Sequence, residues 1–341
     1  MMVIVNTIVL TDRQKKQTVA VSDVQASGQL ASFYLSRDLR MAGYGMTRET
    51  FTNCQVLAYD ALRTTNFTFS LAPVRITSGG TGGLQSDTLS LMYGNADVTT
   101  TAIKLQASDN GTLANLQVDN RYGFRNGDKF VMFSSSVDTN ADTIADCSMG
   151  EVTGLPSTSG QTNQIVRTTN SYVNNYSGVS TTPRYNKSGG LGISYPVGTQ
   201  VFNLGPAPVS YTYAVAANNI LRRTNTITGE SIDLGDNVVA IKFYYLKDTN
   251  LDGVADTLDQ SAPASADGWK QVLAIRYAVI TRSTATVEDP ISTLTIVPSI
   301  TLPNASVQSA IVAPITGTDR FYRYRVYGST VALRNIIWRD S

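Results

Sequence analysis

The opening residues, from Met1 to Leu10, are almost all apolar (Met1, Met2, Val3, Ile4, Val5, Ile8, Val9, Leu10), and a charged stretch with Asp12, Arg13, Lys15 and Lys16 follows. After it Val24, Ala31, Leu35, Leu39 and Ala42 recur at steps of seven, four, four and three, which keeps them on one face of a helix with a repeat of about 3.6 residues. The pattern stops at Gly43, where a left-handed C-cap costs glycine nothing. A helix that is apolar all round at one end and one-sided at the other passes from lipid, or from a bundle of like helices, onto the surface of a globular head.

Beyond Gly45 the texture changes to short alternating runs separated by Gly, Asn, Asp and Ser, which predicts antiparallel strands. Thr88 to Tyr93, Lys129 to Phe133 and Val238 to Leu246 are three such runs, the last two entered through Asn126-Gly127-Asp128 and Gly235-Asp236-Asn237. From Gln271 to Thr281 both faces are apolar or aromatic apart from Arg276, so this run predicts a central strand. In Phe321 to Tyr327, Tyr322, Tyr324 and Val326 share one face and Arg323 and Arg325 the other, a half-buried strand with an arginine-lined outer side. Residues 154–192 are rich in Ser, Thr, Asn and Gly and predict long surface connections. The glycine-rich run 77–83 has no Gly-Lys-Ser/Thr after it and reads as a loop, not a phosphate cradle.

The expected fold is therefore α+β, a long N-terminal α-helix packed on a mainly antiparallel β-sheet head. Residues 1–46 form the helix, with 1–10 a partial membrane or filament-core segment. Residues 47–341 form the head, with a division into two lobes near 235. Within the helix Leu35, Leu39 and Ala42 are expected to dock on the head, while Ile4 and Ile8 face neighbouring subunits. The apolar run at the start is shorter than the roughly 20 residues a bilayer requires and has no basic leader or small-residue cleavage site.

Composition narrows the chemistry. Charge is nearly balanced at +1 and no basic stripe is present, which argues against nucleic acid as a partner. There is no histidine, so the commonest general base and the commonest transition-metal ligand are both missing. No Gly-x-Ser-x-Gly elbow occurs and no two acids are marked as partners across a cleft, so no catalytic residue is assigned and no enzyme is expected. Cys54 and Cys147 are too few for a structural zinc site and are either two free buried thiols or one disulfide.

One local motif suggests a metal. Asp248, Asn250, Asp252, the carbonyl of Val254, Asp256 and Asp259 fall at positions one, three, five, seven, nine and twelve of a calcium loop, with Gly253 at the sharp turn. Asp259 stands where the usual bidentate ligand is glutamate, and the flanking runs read as strands, so calcium would sit in a hairpin loop. The alternative is a surface loop held by Asx turns. Asp138 to Asp146 repeats the first half of the pattern but has Thr143 at the glycine position.

Three separated segments resemble the PilW-type minor pilins of bacterial type IV pilus systems. They are Phe33 to Gly45, Val238 to Ser283 with Trp269 inside it, and Tyr322 to Asn335. The resemblance implies a pilin-like filament subunit of the tip or priming complex, made in the inner membrane and extracted by its helix into the extracellular pilus. It implies other minor pilins and the major pilin as partners through that helix, and a large tip adhesin to be presented for cell adhesion. The family's cleavage motif, its mature N-terminal Phe and the glutamate five residues in are not in this sequence, so the expectation is that the chain starts partway into the family's helix. A type II secretion pseudopilin shares the architecture, and a secreted calcium-binding β-rich adhesion module is the reading from a different class.

Overall fold

The computed structural model describes residues 24–46, 54–80, 84–97, 102–112, 114–138, 146–265, 267–286, 289–302 and 307–336. It corrects the expected α+β arrangement. The chain is mostly β, with one short N-terminal α-helix among the described residues (24–41) and several separate sheets, not a long helix laid on a single sheet. The physical reason is the punctuation beyond residue 46. Alternating runs broken every few residues by Gly, Asn and Asp close into small sheets of their own, and the helix contributes one stripe of side chains to a core that strands otherwise build.

Three sheets carry the architecture. The N-terminal sheet runs in the order Thr65–Ser70, Gln55–Asp60, Asp146–Glu151, Lys129–Phe133, Gln200–Gly205, Ile103–Lys104, and its Gln55–Asp60 and Asp146–Glu151 strands are parallel. The middle sheet is Ser231–Gly235, Ile220–Asn225, Val209–Ala216, Thr88–Tyr93, Val74–Thr77, antiparallel throughout. The C-terminal sheet is Thr257–Asp259, Val238–Lys247, Val272–Thr286, Tyr322–Ala332, also antiparallel.

The strand expected to be central is an inner strand of the C-terminal sheet, and the packing explains its two apolar faces. Ile275, Tyr277 and Val279 enter the main core with the helix, while Ala278 and Ile280 pack on the other side with Ile296, Val297 and Ala313. The main core also takes Leu35, Leu39, Tyr213, Leu221, Leu234 and Val238, so it runs continuously across residue 235. Phe130, Met132, Val201, Ile165 and Tyr195 form a separate core on the other face of the N-terminal sheet.

Residues 154–192 depart from the expected surface connection. They are largely irregular, yet Ile165, Tyr172, Tyr185 and Asn186 are buried. The cause is the buried Glu151 carboxylate, which accepts hydrogen bonds from Tyr172 Oη at 2.5 Å, Arg184 N at 2.9 Å and Tyr185 N at 3.2 Å and so draws a polar loop inward. Burying such a charge is tolerable only when donors surround it.

Cys54 and Cys147 form a disulfide with a Cα–Cα distance of 5.9 Å, and both residues are fully buried. It sits where the parallel pairing of Gln55 with Asp146 begins. A second tie is ionic. Asp60, at the end of its strand and fully buried, accepts from Arg63 Nε at 2.6 Å, Arg184 Nε at 2.9 Å and Leu62 N at 2.9 Å. Arg184 also donates to Thr228 O at 2.8 Å and Arg63 to Ile227 O at 2.8 Å, so one carboxylate joins the N-terminal sheet to a turn of the middle sheet.

Burial pushes the Asp60 carboxyl upward, but the bonds from Arg184 and Arg63 outweigh it and hold the group well below the usual carboxylate range. A depressed folded pKa gives stability that is present above the unfolded value of about 3.9 and is lost as pH falls through the folded one. Urea titrations between about pH 7 and 2 are expected to show the wild-type midpoint falling below about pH 4, with a shallower fall in Asp60→Asn. Parallel curves would rule Asp60 out as a source of acid sensitivity.

Candidate functional site

The helix is held by its inner face, and the attachment is polar as well as apolar. Val24, Ala31, Leu35, Leu39 and Ala42 are each at most 3% exposed. At Gly28 an added Cβ would lie 2.2 Å from the Tyr327 ring, so the helix backbone rests directly on that tyrosine of the C-terminal edge strand. One turn further, Ser32 Oγ and Ser36 Oγ each lie 2.7 Å from Tyr277 Oη, and Tyr277 donates to Ser32 O at 3.0 Å. With that donation fixed, both serine hydroxyls are left to donate to the tyrosine oxygen.

Asp38 is the centre of the attachment. It is 1% exposed, and its Oδ2 accepts from Tyr213 Oη and from Arg223 Nη1 at 2.8 Å. Arg37 Nε reaches its Oδ1 at 2.9 Å. The Arg223 guanidinium lies 4.1 Å from the centre of the Tyr211 ring and 5.3 Å from that of Tyr34. Burial acts to lower the Arg223 pKa, but the hydrogen bond and charge of Asp38, together with the Tyr213 and Tyr211 hydroxyls, outweigh it and the net direction is up. Burial, reinforced by the Asp38 charge, pushes the Tyr213 hydroxyl far up, so it stays a proton donor to the carboxylate.

The helix end is capped from the far end of the chain. Asn335 Nδ2 donates to Arg40 O at 3.0 Å and Ala42 O at 3.2 Å, satisfying carbonyls that a helix C-terminus leaves open. Gly43 has φ 76°, the left-handed cap its position in the sequence predicts, and its N–H donates to Met92 O at 2.8 Å.

What the helix presents outward is also defined. Leu30 is 47% exposed, Phe33 61% and Met41 39%, and Gln29, Arg37 and Arg40 share this face. Tyr44, just past the helix, is also exposed. The spacing of Leu30, Phe33, Arg37 and Met41 by three or four residues makes one stripe opposite the buried one.

Other sequence-predicted residues are placed as follows. Leu35 and Leu39 are fully buried, whereas Ile4 and Ile8 lie outside the described residues, as does the expected segment 1–10. Among the described residues no helix is long and apolar enough to cross a membrane. The second acidic stretch lies outside them from 139 to 145.

In the 248–259 loop the oxygens serve the protein's own donors. Asp248 accepts from Asp252 N and Gly253 N, and Asp252 Oδ1 from Val254 N at 2.8 Å. Asp256 Oδ2 accepts from Thr249 N and Oγ1, and Asp259 is held by Lys247 Nζ at 2.7 and 2.9 Å. A cation at this loop would need the carboxylate that the lysine occupies. Among the described residues no three acidic or cysteine side chains converge as a metal site requires.

Tyr213, Arg223, Tyr277, Tyr327 and Asn335, which together hold the helix, all fall between residues 211 and 335. Those same residues, 211–335, match the family model described as Type IV Pilus-assembly protein W. This part of the chain is PilW-type. No curated protein and no solved structure matches the chain. The PilW match connects the protein with type IV pilus assembly, with pilus assembly components in general and with the pilus-bearing cell envelope.

The sequence marks Phe33 to Gly45 and Tyr322 to Asn335 as PilW-like but does not show that one holds the other. The available signal was Asp38, a carboxylate one residue from the apolar stripe, which requires a buried cation from elsewhere. Nothing in the sequence named Arg223 as that cation.

Proposed function

We propose that the protein is a minor pilin, a non-enzymatic structural subunit of the complex that primes type IV pilus assembly and occupies the pilus tip, where an adhesin attaches. The observation that carries this reading is the two-sided helix. Its inner face is fixed to the PilW region by Asp38, Tyr277 and Asn335, so its outer apolar face, with Leu30, Phe33 and Met41, is presented in a set orientation. A fixed helix with an apolar outer stripe and only cationic charge on it suits packing against the helices of other minor pilins and the major pilin. Before assembly the expected apolar segment 1–10 would keep the head at the inner membrane.

The test is to place a charge on the outer face and leave the socket intact. Phe33→Asp is expected to leave the thermal midpoint of the head within a few degrees of wild type, because the side chain is exposed. In cells producing the full gene it is expected to reduce sheared pili several-fold. Unchanged piliation with a correctly folded, normally abundant variant would remove the helix face from assembly.

A further inference from the structure

Away from the PilW region, the middle of the chain encloses a cavity of about 260 Å³. Its floor is buried and formed by Met149, Gly150, Tyr185 and Asn186, whereas Thr169, Asn170, Lys187 and Ser188 on its rim are exposed. The two walls are joined by one side chain. Asn186 Oδ1 accepts from Glu151 N at 2.8 Å, and its Nδ2 donates to Glu151 O at 2.8 Å and Thr168 O at 2.9 Å. Arg167 lines the cavity with its guanidinium tied to the buried Asp109 carboxylate. The cleft is therefore formed before any ligand arrives, which limits the ordering cost of binding.

We propose that this cavity binds a single acidic saccharide residue. The volume is of the order of one pyranose ring. The rim offers hydroxyl and amide groups that both donate and accept, which is what a ring of hydroxyls needs. The apolar part of the lining includes Met149 and the half-buried Leu191, which can meet the C–H face of a sugar. Charge selects among sugars. Asp109 offsets Arg167, and Lys187, which has no ion-pair partner among the described residues, gives the rim one uncompensated positive charge suited to a sugar carboxylate. The site lies outside residues 211–335, so the inference stands apart from the pilin reading.

Saturation-transfer NMR on the full chain, with glucuronate and glucose as the two probes, tests it. Glucuronate is expected to receive saturation and to bind more tightly than glucose. Lys187→Ala is expected to weaken glucuronate about tenfold, to the level of glucose, the size of losing one hydrogen bond to a charged group. Thr169→Ala should weaken both sugars. Both replaced residues are exposed, so the variants should keep the wild-type thermal midpoint. No transfer to either sugar, equal affinity for the two, or glucuronate binding unaffected by Lys187→Ala would each overturn the proposal.

Discussion

Replacing Cys147 with Ser is expected to lower the free energy of unfolding by about 4–5 kcal/mol, the largest single effect foreseen for this protein. The bridge closes a loop with a sequence separation of 93 residues, and in the chain-entropy account a loop that long restricts the unfolded ensemble strongly. Its location adds to this. It fastens the parallel strands Gln55–Asp60 and Asp146–Glu151, whose connection wanders through the middle sheet and back, so little local chain holds that pairing together. Parallel pairing across a long connection is costly to find during folding, and a covalent link near its first residue pair shortens the search. Urea unfolding of oxidised and reduced wild type, beside Cys54→Ser/Cys147→Ser, measures the effect. A reduced protein within about 1 kcal/mol of the oxidised one would show that burial of the two sulfurs, not the link, stabilises the sheet.

Much of this fold was legible in the sequence, and the limits have physical causes. Period-two runs at Thr88 to Tyr93, Lys129 to Phe133 and Val238 to Leu246 marked strands that form there, because alternation reports a local pleat that needs no knowledge of partners. The two apolar faces of Gln271 to Thr281 gave away the inner position of the strand Val272–Thr286 for the same reason. The helix stripe and its stop at Gly43 were legible from the helical period and from the one residue that adopts φ 76° without strain. Sheet partners were not legible, since pairing is set by long-range register, and the expected long helix on one sheet took the alternating runs beyond Gly45 as a single sheet, whereas their strands close several. The inward fold of residues 154–192 was missed because polar composition signals solvent, whereas here Glu151 provides an internal polar anchor. The calcium-loop spacing at 248–259 did not show the charge beside it. Spacing places the oxygens along the chain, but Lys247, outside the motif, takes Asp259.

Asp38→Asn is expected to cost about 3–5 kcal/mol, far more than an isosteric change at the surface. The replacement keeps the shape of the side chain and removes its charge, leaving the Arg223 guanidinium buried between Tyr211 and Tyr34 without its counter-ion. What such a variant loses is mainly the penalty of the stranded cation, not the worth of the ion pair. A second variant separates the two. Asp38→Leu with Arg223→Met removes both charges and fills similar space, and should recover most of the loss, because buried pairs are often replaceable by apolar residues of similar volume. Urea midpoints of the singles and the double give the coupling directly. If the double is as unstable as Asp38→Asn, the pair itself, together with the Tyr213 bond, is what stabilises the socket. The functional consequence differs between the variants in a way that stability alone does not explain. In Asp38→Asn the helix should open from the head in amide hydrogen exchange while the C-terminal sheet stays protected, and piliation should fall with it. In the double variant the helix stays docked and piliation should return. A return of stability without a return of pili would mean that the buried charge serves assembly by some route other than holding the helix in place.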